Sequence, residues 1–99
     1  MIIVPTALGA DWAIVADKLI PTRAFENGVW LAYANHAGIE NQLPYYGGSC
    51  IAAPNGSEAA RAGVAEELII ANVDIESVQK AQARLPYLQG VKQLRSKLC

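Results

Sequence analysis

Cysteine and histidine are scarce in this chain: there are two of the first, Cys50 and Cys99, and one of the second, His36. Two cysteines at that spacing make neither a disulfide framework nor a CxxC metal knuckle. A single histidine excludes a zinc site of two cysteines and two histidines within the chain. It also leaves a Ser-His-Asp triad only one residue to be built around. Metal chemistry is therefore not expected, and no cofactor is implied. Charge is sparse too, at 17% of residues with a formal net charge of -1, so no global field draws the chain to nucleic acid. The one basic cluster, Lys92, Arg95 and Lys97, sits in the tail and reads as a solvated end. No run approaches the ~18 uninterrupted apolar residues of a membrane span, and no basic segment precedes a signal-like core. A cytoplasmic location, with neither membrane nor nucleic acid as partner, is the expectation.

What the chain has in excess is apolar surface. Hydrophobic residues make up 53% of it, above the usual share, in a length that leaves much of the surface exposed even when folded. Such a surplus is expected to face missing parts of the same domain or partner subunits. The opening residues suggest the same, because Met1 runs straight into Ile2-Ile3-Val4 as an interior strand would if cut open. A truncated chain is therefore expected.

The coarse pattern is α/β with some antiparallel pairing. Ile2 to Val4 reads as a buried strand closed by Pro5, since a short β-branched run suits a sheet interior. Asp11 is placed to cap a helix burying Trp12, Val15, Ala16 and Leu19 at i, i+3, i+4 and i+7. Pro21, which has no amide to offer Asp17, predicts a kink or two short helices. Asn27-Gly28 ends the helical stretch. Val29 to Ala34 is nearly continuous in apolar residues and predicts a strand covered on both faces. Ala37 to Tyr46 reads as a long loop, followed by a strand from about Gly48 to Ala53. Pro54-Asn55-Gly56 predicts a tight reversal in which Asn-Gly accepts positive φ, with a return strand near Glu58 to Ala62. Glu67 to Val73 is expected to form another strand. Asp74 then caps a helix with Ile75, Val78, Gln82 and Leu85 on one face, stopped by Pro86.

Several segments together resemble the nitrilase superfamily of carbon-nitrogen hydrolases. They are Ile2-Ile3-Val4-Pro5-Thr6-Ala7, the helix carrying Pro21-Thr22-Arg23-Ala24-Phe25-Glu26-Asn27, and the run Trp30 to Asn35. Tyr46-Gly47-Gly48-Ser49, Pro54-Asn55-Gly56 and the stretch Glu67 to Asp74 add to the likeness. Ala83-Arg84-Leu85-Pro86-Tyr87-Leu88 looks most like the amidase branch. The resemblance implies the C-terminal part of a four-layer αββα sandwich, a mixed sheet with covering helices. It divides the chain into a partial hydrolase domain, residues 1–88, and a basic C-terminal tail, residues 89–99. It also implies hydrolysis of carboxamides through a cysteine thioester, with a Glu base, a Lys and a Cys nucleophile that all lie upstream of Met1. On this reading no residue of the chain is catalytic, and the chain alone is inactive.

Candidate site residues follow from both kinds of reading. Thr6 and Ala7, at the C-terminal end of a strand where α/β sheets place ligand contacts, form a substrate-pocket edge, with Trp12 as a possible wall or a plain core aromatic. Arg23 and Glu26 are spaced to pair, and Asn27 to close the last turn; the resemblance makes this helix a support for homo-oligomer formation. Asp17 and Lys18 read as a solvated helix face. Cys50 lacks a neighbouring base and is expected to be a small buried hydrophobe, while Cys99 is an oxidation liability. His36 is expected to be a hydrogen-bonded strand-end residue. Asn35 either stitches loops together or touches ligand, and both readings stand. The alternative function is a non-catalytic interaction or oligomerisation protein on a truncated hydrolase scaffold.

Overall fold

The structure, a computed structural model, describes residues 1–84 and 86–98; the expectations placed on Leu85 and Cys99 lie outside these. The frame is a four-stranded sheet in the order β1 (Ile2–Thr6), β2 (Leu31–Asn35), β5 (Cys50–Ala52), β6 (Glu58–Arg61). β1 runs parallel to β2, with Ile2 opposite Leu31 and Thr6 opposite Asn35. β2 with β5 and β5 with β6 are antiparallel. Between β2 and β5 stands a separate ribbon of β3 (Ala37–Glu40) and β4 (Leu43–Tyr46). Helices α1 (Ile20–Asn27), α2 (Ile75–Arg84) and α3 (Tyr87–Leu98) complete the mixed α/β domain.

The stretch before α1 changes geometry because of Pro21. A 3-10 turn (Ala10–Trp12) leads to a π-helix (Val15–Leu19), in which the Ile20 N–H donates to the Val15 carbonyl five residues back. Pro21 then sits in the first turn of α1, where a missing N–H costs least. With Ile20 directed to Val15 and Pro21 lacking a proton, the Ala16 carbonyl has no main-chain donor left. The expected interruption at Pro21 is thus present as a π-to-α switch. Asp11 makes no cap; the residue before the 3-10 turn is Gly9, without a side-chain bond. Of the predicted buried face, only Ala16 is sealed, whereas Trp12 is 58% and Leu19 40% exposed. The mixed turn geometry rotates those side chains off the face that a regular 3.6-residue period lines up.

The core lies on one side of the sheet. Ala16, Ile20 and Ala24 pack on Leu31 and Tyr33 of β2 and on Cys50 and Ala52 of β5. α1 stops at Gly28, whose φ of +60° lets its N–H reach the Ala24 and Phe25 carbonyls. Gly28 also admits α2: a Cβ there would stand 3.0 Å from the Cβ of Ala81, the buried residue of that helix. The Arg84 guanidinium lies 4.3 Å from the Phe25 ring centre, and Trp30 Nε1 donates to the Asp74 carbonyl at 2.9 Å. Ala81 carries the α2 contact with the partly buried Val78 one turn before it, whereas Ile75 and Gln82 of the expected face are exposed.

Several expectations are corrected here. β1 is not buried: it is the sheet's edge, with Ile2 and Ile3 half or more exposed. β2 is covered on one face only, because the helices pack against Leu31 and Tyr33 while Ala32 and Ala34 face away. The supposed loop from Ala37 to Tyr46 is a hairpin, since Asn41 and Gln42 both take positive φ and form a two-residue turn. At Pro54-Asn55-Gly56 the reversal is found, but only Gly56 has positive φ; Asn55 instead caps it, its Oδ1 accepting from the Ser57 N–H at 2.9 Å. Glu67 to Val73 is no strand. It finds no ladder partner among the described residues, leaving Leu68 at 84% and Ile70 at 77% exposure.

Among the described residues one core atom is unmatched: the Tyr33 hydroxyl is buried without a hydrogen-bond partner. An unpaired buried hydroxyl costs about 1–3 kcal/mol. Replacing it by hydrogen keeps the ring's packing and removes that cost. Tyr33→Phe is therefore expected to hold or raise the urea midpoint, and a fall of more than about 1 kcal/mol would show that the hydroxyl has a partner after all.

Candidate functional site

Two polar centres flank the C-terminal end of β2. The first is built on Asn35, whose side chain binds on both sides. Its Oδ1 accepts from the Leu8 N–H at 2.8 Å, and its Nδ2 donates to the carbonyls of Leu8 and Gly47 at 3.3 and 2.9 Å. The Asn35 N–H donates to Ser49 Oγ at 2.9 Å. Of the two readings open for Asn35, stitching is the one its bonds express: it joins the loop after β1 to the approach to β5.

Gly47 and Gly48 make this junction possible. Both take positive φ, and a Cβ on Gly47 would fall 2.9 Å from the Gly63 carbonyl oxygen. The Gly48 N–H donates to that same carbonyl and the Gly47 N–H to the His36 carbonyl, each at 3.0 Å. A cavity of about 350 Å³ opens beside the junction, lined by Asn35, His36, Ser49, Gly63, Glu66 and Glu67 among others. Glu67 Oε2 accepts from the Gly63 N–H at 2.9 Å and so fixes one rim. His36 Nε2 lies 2.5 Å from Glu40 Oε2, both half exposed, and its ring meets Tyr45 edge to face at 4.7 Å. The strand-end histidine thus meets a carboxylate of the hairpin. Among the described residues no three His, Cys, Asp or Glu side chains gather as a metal site.

The second centre is Arg61. Its Nη1 donates to the Gly48 carbonyl at 2.7 Å and its Nη2 to the orphaned Ala16 carbonyl at 2.8 Å; Nη2 also pairs with Glu58. Residues three apart on a regular strand point to opposite faces. A register shift between Ile51 and Ala52 sets Arg61 opposite Cys50 and Glu58 opposite Ala52, so both share the core face. The hydrogen bond from Arg61 holds the Glu58 carboxyl below the usual glutamate range.

Cys50 faces Arg61 across the ladder, a neighbour that its sequence environment does not reveal. Burial nevertheless dominates: the side chain is fully enclosed, and desolvation pushes the thiol above its usual range, with Arg61 acting weakly the other way. A sealed, protonated thiol is not a nucleophile.

The other candidates fall outside the cavity. Thr6 is half-buried at the end of β1, where its carbonyl accepts from the His36 N–H at 3.0 Å. It adjoins the cavity through that bond. Ala7 and Trp12 are exposed and do not line it. Arg23 and Glu26 pair at 2.7 Å on the exposed face of α1, and Asn27 Nδ2 donates to the Arg23 carbonyl at 2.9 Å. Asp17 is not free: both its carboxylate oxygens lie 3.2 Å from the Tyr46 hydroxyl. Sequence reasoning missed Arg61, Ser49 and the Glu66-Glu67 rim. The signal that was there for Arg61 is an arginine three residues after a glutamate in the short run Glu58-Ala59-Ala60-Arg61.

Solved structures of similar architecture include those of an amidase. The chain superposes with a TM-score of 0.67 on an amidase from Nesterenkonia sp. AN1 that carries a Michael adduct of acrylamide at its active-site cysteine, with 37% identity over 89% of this chain and 35% of that one. A variant of the same amidase in complex with butyramide matches at 38% identity, TM-score 0.67, over 87% of this chain and 34% of that one. A hydrolase in the pqqF 5' region of Pseudomonas protegens is 47% identical over 88 residues, covering 89% of this chain and 31% of the relative. The family model for carbon-nitrogen hydrolases matches residues 2–83. The chain belongs to the carbon-nitrogen hydrolase family, within the nitrilase superfamily, and spans about a third of the length of these relatives. No helix among the described residues is long and apolar enough to cross a membrane.

Arg61→Met is expected to destabilise the fold by about 2–4 kcal/mol, because it strands two inward-facing carbonyls; chemical denaturation measures it. Glu58→Gln is expected to cost much less, since that carboxylate is solvent-screened. Its lowered pKa contributes stability above the ordinary glutamate value of about 4.3, which fades as pH falls through the folded value. The acid limb of the stability curve should therefore flatten in Glu58→Gln.

Proposed function

We infer that this chain is the C-terminal portion of an amidase-like carbon-nitrogen hydrolase whose intact form cleaves carboxamides through a cysteine thioester, without metal or organic cofactor. The observation that carries the reading is the state of Cys50. It is the one free thiol among the described residues, and it is enclosed in the core with its pKa raised by burial. An acyl-transfer nucleophile needs a thiolate that substrate can reach. The resemblance puts the catalytic Cys, its Glu base and the Lys outside this chain, and the enclosed Cys50 supports that reading. The chain supplies scaffold, a pocket edge and a contact surface.

Thr6, Ala7 and Trp12 form that pocket edge. They follow the C-terminal end of a parallel strand, and the exposure of Ala7 and Trp12 leaves them free to wall a substrate brought in by the remainder of the enzyme. The second sheet of an αββα sandwich packs on the face carrying Ile3, Pro5, Ala32, Ala34, Ile51 and Ala60. All six are apolar and none is buried, as a sheet face awaiting a partner layer requires. Residues 1–88 belong to this domain and residues 89–99 form a basic tail. The α1 surface bearing Arg23, Glu26 and Asn27 supports a homo-oligomer, and the working compartment is the cytoplasm. A non-catalytic oligomerisation role is the second reading, favoured by the partial exposure of Phe25 on α1.

The purified chain is expected to show no hydrolysis of butyramide or acrylamide above buffer, with Cys50→Ser unchanged from the parent. Turnover that is lost in Cys50→Ser would overturn the proposal. Arg23→Ala is expected to weaken self-association several-fold in sedimentation velocity; unaltered association counts against α1 as the oligomer surface.

A further inference from the structure

Two Asn-Gly pairs, Asn27-Gly28 and Asn55-Gly56, lie in this chain, and the fold treats them differently. An asparagine followed by glycine is open to attack at its side-chain Cγ by the next main-chain nitrogen, because glycine puts no side chain in the way. At Asn27 the helix closes that route. Its Nδ2 donates to the Arg23 carbonyl at 2.9 Å, and the Gly28 N–H caps α1 on the Ala24 and Phe25 carbonyls. Gly28 is itself buried against Ala81. Asn55, by contrast, is exposed in the reversal between β5 and β6, next to a fully buried Pro54. Its Oδ1 accepts twice, from the Ser57 N–H at 2.9 Å and from the Ser57 hydroxyl at 2.7 Å. Its Nδ2 has no partner among the described residues. The Gly56 nitrogen is held by one bond, to the Ala53 carbonyl at 2.9 Å.

We propose that Asn55 is a site of self-modification, at which the side chain cyclises with Gly56 and is converted to aspartate and isoaspartate while Asn27 stays intact. Hydroxide takes the Gly56 N–H proton once the bond to Ala53 opens. The Gly56 nitrogen then bonds to Asn55 Cγ, and the carbonyl electron pair moves onto Oδ1. Both Ser57 donors already bond this oxygen, so they stabilise the charge that gathers there, as an oxyanion hole does. The Cγ–Nδ2 bond breaks next. Nδ2 takes a proton from water and leaves as ammonia, and a five-membered imide remains. Water then opens the imide: addition at Cγ gives aspartate, and addition at the main-chain carbonyl gives isoaspartate, in which the chain runs through Cβ and Cγ and is one atom longer. The longer chain strains a reversal closed by the Ala53 N–H on the Ser57 carbonyl at 2.8 Å. It loosens β6, and with it the bond from Arg61 to the Ala16 carbonyl. Every group in the step belongs to this reversal or to water, so the site asks nothing of the rest of the hydrolase.

Peptide-level mass spectrometry tests it on the full chain, held folded in mildly alkaline heavy-oxygen water and digested in ordinary water. The amide-to-acid mass gain is read at each pair, and the heavy oxygen separates conversion in the folded chain from conversion during digestion. Asn55 is expected to convert on the order of ten times faster than Asn27, since freeing Asn27 breaks its Nδ2 bond and helix bonds besides. In denaturant the two rates should converge. Ser57→Ala, shown to be folded by far-UV circular dichroism, should convert severalfold more slowly at Asn55, whereas Ser57→Thr, which keeps both donors, should match the parent. The isoaspartate-bearing fraction should unfold at lower urea than the unmodified chain. Equal rates in the folded chain overturn the proposal, as does faster conversion at Asn27 or a ratio that persists in denaturant. A Ser57→Ala rate at or above that of the parent overturns the part given to Ser57.

Discussion

The carbonyl of Ala16 is where the helical layer meets the sheet, because Pro21 deprives it of a main-chain donor and Arg61 supplies one from β6 at 2.8 Å. The same guanidinium ties down the Gly48 carbonyl and draws in Glu58. It therefore links the π-helix, the approach to β5, and β6 through one rigid fork of donors, a geometry lysine does not reproduce. The bulge at Ile51/Ala52 is what brings Arg61 and Glu58 to one face. Without it, one of the two would point away from the helices. A strand irregularity and a proline 30 residues before it in the chain thus serve one contact.

Asn35 and Ser49 perform a similar service at the C-terminal end of β2. Their bonds hold the loop after β1 beside the Gly47-Gly48 turn, and the cavity exists because those two glycines bring backbone within reach of Gly63. The polar groups around that cavity are largely engaged with one another.

Sequence reading located what local chemistry encodes. The interruption at Pro21, the glycine cap at Gly28, the reversal at Pro54-Asn55-Gly56 and the return strand after it each rest on a residue with a restricted or permissive backbone. The family was legible for the same reason, in segments built around such residues. Burial was not legible. The apolar run at β1 reads as interior, but an edge strand with nothing beyond it is exposed whatever its composition. The hairpin was missed because its turn is Asn41-Gln42, and glutamine is an unusual residue at positive φ. Arg61 was missed because its value lies in a carbonyl left free 45 residues earlier, which no spacing rule contains.

Chemical reactivity at Cys50 is the quantity on which the functional account turns. Acrylamide adds to the active-site cysteine of a mutant of the related Nesterenkonia amidase, so it is a fitting probe. The measurement is peptide-level mass spectrometry of the native chain after exposure to acrylamide, read at Cys50 and compared with the chain in denaturant. A structural thiol sealed in the core predicts an unmodified Cys50 peptide in the folded protein and full modification once unfolded. Stoichiometric modification of Cys50 in the folded protein would contradict the account and return the chemistry to this chain.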